Sequence, residues 1–180
     1  MSVSYGARRL IEWAVAIGIV LAMTITLRAF VFQTYFIPSG SMRPTLQLGD
    51  RIVIDKVSVD LGVIHVGDII VFTAPPAVSR DCDDSSPDLV KRVIGLPGDR
   101  LWSRGNTIIV NGRALDERWS HTEPLGPAIG RLRVPPNDFF VMGDNHPNSC
   151  DSRTWGFVPR HDIIGKVFLR AWPPNRIHWF

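Results

Sequence analysis

The chain lacks runs of like charge, internal repeats and low-complexity tracts. Charged residues make up only 21% of it, and the lysines and arginines behind its net charge of +3 are scattered along the sequence. It has no helix-turn-helix pattern, no zinc-finger spacing and no motif that combines aromatic and basic residues. These absences argue against nucleic acid as a partner, and the scattered charge indicates mild basicity only.

Metal-binding patterns are also missing. The five histidines show no metal-ligand spacing, and there is no HExxH motif, so we expect no metal and no cofactor. A Ser-His-Asp triad is not excluded by the sequence alone. However, four of the five histidines lie outside the motifs described below, and His146 is the exception.

The size and composition limit the architecture. A chain of 180 residues accommodates one folded domain and an anchor, with little room for a second compact domain. Hydrophobic residues reach 45%, which argues against disorder, and 14 prolines with 15 glycines favour a sheet over a helical bundle. No stretch after residue 37 has a sustained helical period, so we expect a mainly β, antiparallel catalytic domain.

Residues 10–32 are almost wholly apolar and predict one N-terminal transmembrane helix, because about 20 helical residues cross a bilayer core. Arg8 and Arg9 precede the segment, which predicts a cytoplasmic N-terminus over residues 1–9 and an extracytoplasmic domain over residues 33–180. A cleaved secretory signal is the competing interpretation. It is disfavoured because the chain continues with bulky residues, without a small-x-small cleavage site. A buried hairpin helix would need a polar face, which the segment lacks.

Short alternating runs between turns predict the strands. They lie at residues 51–54, 69–72, 89–94, 107–110, 139–142 and 163–171. The turn Asn111-Gly112 follows the fourth of these runs, as expected in a β-hairpin. Residues 73–87 are predicted to form an exposed loop, and residues 112–134 a second variable stretch.

Three motifs carry a family resemblance. They are PSGSMRPTL at 38–46, VKRVIGLPGD at 90–99 and GDNHPNSCDSRTWG at 143–156. In this order, after an apolar segment, they resemble the signature boxes of the bacterial type I signal peptidases (leader peptidases). Members of that family are membrane-bound serine endopeptidases that remove signal peptides from exported preproteins at the outer face of the cytoplasmic membrane. The resemblance implies this activity, with preprotein signal peptides and the phospholipid membrane as partners and with interplay with the secretion translocon.

By resemblance, Ser41 is the nucleophile and Lys91 its general base. A serine hydroxyl is a weak nucleophile that needs a base within hydrogen-bond reach, and a neutral lysine amine can provide it. A free lysine, with a pKa of about 10.4, is protonated at neutral pH, but burial disfavours the charged form. The apolar neighbours Leu89, Val90 and Val93 are expected to provide part of that burial. Without the motifs, Lys91 would be read as a solvated edge-strand lysine and Ser41 as a turn serine.

The resemblance also implies the residues around the dyad. The oxyanion hole would consist of the backbone N–H of Ser41 and the hydroxyl of Ser39. The hydroxyl of Ser149 would hold the lysine amine in line. A further four residues would support the site structurally: Asp144, Asn145, Asp151 and Arg153.

The substrate pockets implied by the resemblance are shallow and apolar, and they accept small residues, typically alanine, one and three places before the cut. An extended peptide would add to a sheet edge. The residues expected to line the pockets are Ile37, Pro38, Met42, Leu46, Leu89 and Val90, with Tyr35 nearby. For Leu46 in particular, a plain core position is the alternative. Phe36, Trp102 and Trp119 are candidates for contact with the lipid surface.

Two features depart from the family pattern. His146-Pro147 stands where an arginine and a polar residue are usual. Cys150 lies at a variable position, and with Cys82 it is one of only two cysteines. An exported domain permits a disulfide between them, tying the 73–87 loop to the third motif, but the sequence leaves the pairing open.

Two other functions are compatible with parts of this pattern. A Ser/Lys peptidase dedicated to pilin or conjugation-protein maturation would share the motifs and have narrower substrates. A non-catalytic, membrane-anchored β module would tolerate the loss of Ser41 or Lys91.

Overall fold

The computed structural model describes residues 5–82, 86–120 and 124–180. Its helices are α1 (Tyr5–Phe30), α2 (Val57–Asp60), α3 (Pro76–Asp81) and α4 (Ser152–Trp155). Its strands are β1 (Phe32–Phe36), β2 (Arg51–Asp55), β3 (Ile69–Thr73), β4 (Asp88–Gly95), β5 (Arg100–Arg104), β6 (Thr107–Val110), β7 (Arg113–Ala114), β8 (Leu132–Arg133), β9 (Asp138–Met142), β10 (Val158–Pro159), β11 (Ile163–Trp172) and β12 (His178–Trp179).

The strands form two antiparallel sheets. The larger has the order β1-β2-β11-β3-β4-β9-β10, with β12 pairing to β11, and the smaller has the order β7-β6-β5-β8. The prediction of a mainly antiparallel β domain is confirmed, and all six predicted runs are strands. Asn111 and Gly112 both have positive φ and form the tight two-residue turn of the β6-β7 hairpin.

The 73–87 segment differs from the predicted loop because it contains α3. Pro76 opens this helix, where its missing N–H costs nothing, and Val78 anchors it in the core. A six-residue helix with a single buried apolar side chain has too little periodicity to be recognised in sequence. Residues 83–85 of this segment lie outside the described residues.

The N-terminal segment forms α1, which begins at Tyr5 and ends at Phe30, whereas Phe32 already belongs to β1. Among the residues described, no helix has both the length and the apolarity needed to cross a bilayer. The transmembrane helix predicted over residues 10–32 is therefore not confirmed.

The two edges that face the functional residues are open. Within the described ranges β1 pairs with β2 alone, so its other side has no strand partner there. β4 pairs with β3 along its length, but β9 covers its other side only from Arg92 onward. The first half of β4 therefore has one edge that no strand of the described residues covers.

Candidate active site

The segment around Ser41 is a compact turn held against the end of β1 and β2. Ile37 N–H donates to the carbonyl of Asp50 at 2.9 Å, and Gly49 N–H donates back to the carbonyl of Ile37 at 3.0 Å. Met42 and Leu46 point into the core, where they are 1% and 0% exposed. Burial of these two apolar side chains fixes the turn against the core, and Ser41, which precedes Met42, lines the surface groove.

Lys91 reaches this turn from the middle of β4. It is only 4% exposed, and its Nζ lies 2.7 Å from the Oγ of Ser41, fifty residues away in sequence. The Oγ of Ser39 lies 3.4 Å from the same Ser41 oxygen. The structure thus brings together the three residues that the first two motifs singled out.

The third motif packs directly behind the serine turn. Asn145 N–H donates to the carbonyl of Ser41 at 3.0 Å, and its side-chain amide donates to the carbonyl of Gly40 at 3.1 Å. Gly143 is required here, because a Cβ at this position would overlap the Oγ of Ser149 and the carbonyl of Ser41. The Oγ of Ser149 is buried and has no hydrogen-bond partner within the described residues. These contacts lock the turn carrying Ser41 to the loop carrying Ser149.

Asp144 is held by a residue that sequence reasoning missed. Arg92 donates two hydrogen bonds to its carboxylate, from Nε at 2.8 Å and from Nη2 at 2.7 Å. Both residues are nearly inaccessible, and Thr45 also donates to the carboxylate. The ring of Trp119 lies 4.7 Å from the guanidinium carbon of Arg92. Strand alternation could have indicated that Arg92 lies behind the site. Successive side chains of a strand point to opposite faces, so if Lys91 faces Ser41, Arg92 faces the other side of the sheet.

Asp151 and Arg153 form a second buried pair. Arg153 Nε and Nη2 donate to the two carboxylate oxygens of Asp151 at 2.8 and 2.7 Å. Asp151 also accepts from the N–H of Gly143 at 3.2 Å and caps α4. Arg153 donates further to the carbonyls of His146 and Ser149. The pair therefore holds the third-motif loop in place through hydrogen bonds near its start and its end, and neither residue lines the groove described below.

The His146 departure from the family pattern has a local partner. Its Nε2 lies 3.3 Å from the carboxylate of Glu117, and both side chains are largely buried. The contact joins the variable stretch at 112–134 to the third motif. Glu117 could not be predicted, because it lies in the variable stretch between the second and third motifs.

Cys82 and Cys150 are joined in a disulfide, with their Cα atoms 5.9 Å apart. The bond links the end of α3 to the residue that follows Ser149. Both cysteines also line the groove described next. The disulfide thus ties one wall of the groove to the loop behind Ser41.

An open groove of about 870 Å³ passes over Ser41 and Lys91. Of the residues predicted to line the substrate pockets, five do so: Ile37, Pro38, Met42, Leu89 and Val90. Leu46 does not, because its side chain is fully buried beneath the turn. Phe36, 60% exposed, lines the groove, whereas Trp102 and Trp119 pack against arginine side chains elsewhere.

Tyr35 and Asp88 close one end of the groove. Burial, the negative charge of Asp88 and a hydrogen bond to its carboxylate raise the pKa of Tyr35 to about 12. The side-chain amide of Gln33 also donates to the Tyr35 oxygen at 3.0 Å. This end of an otherwise largely apolar groove is therefore polar.

A serine hydroxyl hydrogen-bonded to a buried lysine amine, in a groove with an open strand edge, has the parts needed for nucleophilic attack on a peptide bond. This arrangement defines the class of serine peptidases that use a Ser/Lys pair. The family model described as "Signal peptidase, peptidase S26" matches residues 10–172. The chain belongs to this family.

Relatives of known name agree with this assignment. The chain is 39% identical over 168 residues to a signal peptidase I from Leptolyngbya laminosa, covering 93% of this chain and 82% of the relative. It is 41% identical over 174 residues to a signal peptidase I from Bacillus caldolyticus, covering 89% and 88%. Among solved structures, a signal peptidase I from Enterococcus faecalis V583 aligns with 57% of this chain and 95% of that chain, at 31% identity and a TM-score of 0.47.

Proposed function

We propose that this chain is a serine endopeptidase that removes N-terminal signal peptides from exported preproteins. The observation that carries the proposal is the 2.7 Å separation between Ser41 Oγ and the buried Nζ of Lys91 inside an open groove. Family membership supports the same activity.

The reaction begins with Ser41. Its Oγ attacks the carbonyl carbon of the scissile peptide bond while the neutral amine of Lys91 takes the hydroxyl proton. The resulting ammonium gives that proton to the leaving amine, so the C–N bond breaks and an acyl ester remains on Ser41. Lys91, neutral again, then takes a proton from water, whose oxygen attacks the ester carbonyl carbon. The C–O bond to Ser41 breaks, the Lys91 ammonium returns the proton to Ser41 Oγ, and the cleaved signal peptide leaves with a new C-terminal carboxyl group. Burial of Lys91 supports this role because it disfavours the charged form before substrate arrives.

The negative charge that develops on the carbonyl oxygen needs fixed donors. We assign this function to the backbone N–H of Ser41 and the hydroxyl of Ser39, whose Oγ lies 3.4 Å from the Ser41 oxygen. Ser149 acts as a positioning residue for the Lys91 amine. Its buried Oγ makes no hydrogen bond within the described residues, to Lys91 or to any other group, so it is available to accept one from the Lys91 amine.

The substrate binds as an extended strand against the uncovered edge of β4. Residues before the cut lie between Leu89 and Val90 on one side and Ile37 and Pro38 on the other. Ile37 and Leu89 are almost buried, at 2% and 8% exposure, so only small parts of their side chains form the groove surface. The depressions between these walls are therefore shallow and apolar. Small side chains, as in an Ala-x-Ala sequence, fit such depressions, which gives the expected cleavage specificity.

We further propose that α1 holds the enzyme at the cytoplasmic membrane, with residues 1–9 in the cytoplasm and residues 33–180 outside. The support is the row of exposed large apolar side chains along α1, which no other part of the described chain covers: Leu10, Ile11, Trp13, Val15, Ile17, Ile19, Val20, Leu21, Met23 and Ile25. Arg8 and Arg9 lie on the proposed cytoplasmic side.

One experiment tests the activity directly. Purified protein is incubated with a signal-bearing preprotein in detergent, and the new N-terminus is sequenced. We expect a single cut after a small residue. Lys91→Ala should lose this cleavage, and Lys56→Ala, which removes a lysine outside the groove, is its matched control. Failure of the wild-type protein to cut any of a panel of signal-bearing preproteins would contradict the proposal.

A further inference from the structure

The groove over Ser41 carries opposite charges at its two ends. Among the described residues that line it, three have acidic or basic side chains: Arg43, Asp88 and Lys91. Lys91 lies at the centre, beside Ser41. The Tyr35–Asp88 and Ser41–Lys91 contacts align the two chain segments that form the groove. Asp88 precedes Lys91 by three positions and Arg43 follows Ser41 by two, which puts them on opposite sides of this centre.

The acidic end belongs to Asp88. This residue begins β4, three positions before Lys91, and is half-buried. Its carboxylate accepts a hydrogen bond from the hydroxyl of Tyr35, which is six positions before Ser41 on the facing wall. Tyr35 precedes Ser41 in the sequence and Asp88 precedes Lys91. Both therefore lie at the same end of the groove, which we call the acidic end.

The basic end belongs to Arg43. It follows Ser41 by two positions, and its side chain folds back over Gly40, since a Cβ at Gly40 would lie 3.6 Å from both Cδ and Nε of Arg43. The side chain is exposed, and no carboxylate of the described residues lies within ion-pair distance of it. Arg92 and Arg153, the arginines behind the site, are by contrast each engaged by two carboxylate oxygens.

The direction of the substrate follows from the proposed function, on which this step rests. Residues before the cut occupy the walls formed by Ile37, Pro38 and Leu89, on the Asp88 side. The chain after the cut must then leave past Gly40 and Arg43. We propose that Arg43 is a specificity-determining residue that selects preproteins with an acidic side chain at the second position after the cleavage site.

Simple electrostatics gives the expected size and sign of the effect. An unpaired guanidinium attracts a carboxylate and repels a lysine at the same place, whereas Asp88 disfavours acidic side chains before the cut. Because Arg43 is exposed, the preference is modest, about threefold to tenfold between acidic and basic substrates. It weakens as added salt screens the charges.

The test uses full-length protein and three versions of one preprotein that differ only at the second residue after the cut, which is Asp, Asn or Lys. For the wild-type enzyme we expect kcat/KM to fall in that order, mainly through KM. Arg43→Glu should reverse the order, and Arg43→Gln should make the three substrates nearly equal. Arg113→Glu, an exposed arginine on β7 of the smaller sheet, should keep the wild-type order.

The outcomes separate this inference from the proposed function. Equal cleavage of all three versions by wild-type enzyme would overturn the charge selection and leave the peptidase activity intact. The same would follow if Arg43→Glu kept the order Asp, Asn, Lys. No cleavage of even the Asn version by wild-type enzyme would instead count against the peptidase function itself.

Discussion

Lys91 and Arg92 are adjacent in β4 and serve opposite faces of the sheet. The Lys91 amine lies 2.7 Å from the Ser41 hydroxyl in the groove, whereas the Arg92 guanidinium makes two hydrogen bonds to Asp144 behind it. Asp144 precedes Asn145, whose N–H donates to the carbonyl of Ser41. One dipeptide of a strand therefore supplies the proposed base and anchors the loop that holds the nucleophile.

Removing either member of the dyad should abolish cleavage. We expect Ser41→Ala and Lys91→Ala each to lower kcat by at least about 10³-fold, because the attack loses its nucleophile or its base. The measurement is single-turnover cleavage of a preprotein, with circular dichroism to verify folding. Substantial cleavage by both folded variants would reject the mechanism.

The rate should depend on an uncharged Lys91. Because burial disfavours the ammonium, we expect measurable cleavage at about pH 8, where a solvated lysine would be almost entirely charged. The rate should fall as the pH is lowered, since protonation removes the base. The pH profile of kcat/KM provides the test, and activity confined to values above about pH 10 would show that the amine is not desolvated.

Breaking the Arg92–Asp144 pair should destabilise the domain. Removing one partner leaves a buried charge unpaired, so we expect Arg92→Ala or Asp144→Ala to cost about 3–5 kcal/mol in the free energy of unfolding. Urea unfolding measures this cost. As a control, Arg118→Ala removes an exposed ion pair with Asp116 and should change stability by less than about 1 kcal/mol. Equal small effects of all three substitutions would contradict the structural role assigned to the buried pair.

The disulfide should stabilise the oxidised protein. Cys82 and Cys150 are 68 residues apart, so replacing both with serine should cost about 2–5 kcal/mol, through the greater freedom of the unfolded chain. A reductant should lower the Tm of the wild-type protein and leave that of the double variant unchanged. If reductant affects both proteins alike, the bond does not carry this stability.

Tyr35 should titrate late. Its pKa is raised to about 12 by burial, by the charge of Asp88 and by their hydrogen bond, whereas a free tyrosine has a pKa of about 10. The folded state thus favours the protonated phenol, so its contribution to stability is present below about pH 10 and is lost as the pH rises toward 12. Ultraviolet titration of a Tyr5→Phe variant, which leaves Tyr35 as the only tyrosine, measures the shift. Asp88→Asn should move the titration toward the ordinary value.

Local patterns were sufficient to identify most elements of the domain. The six predicted strands are recognisable because their apolar and β-branched residues alternate or run on without a break between turns. None of these runs has a helical period that would compete with the strand pattern. Ser41 and Lys91 were singled out because the motifs around them resemble those of one family, and the structure places their side chains 2.7 Å apart; their catalytic roles stay predictions. The α3 helix was not predicted, because a helix of six residues that buries one side chain leaves no helical pattern in the sequence.

The remaining features depend on contacts between distant segments. Whether Leu46 faces the groove or the core is decided by how the serine turn packs on β2, and it faces the core. Three contacts join residues that are far apart in the sequence, and sequence separation says nothing about the distance between them in the fold. The contacts are Arg92 with Asp144, His146 with Glu117, and Cys82 with Cys150. The sequence by itself determined the strands, the motif residues and the family, because these are encoded in short-range patterns. Only the tertiary structure decided which side chains meet, because burial and pairing arise when the sheets close around the core.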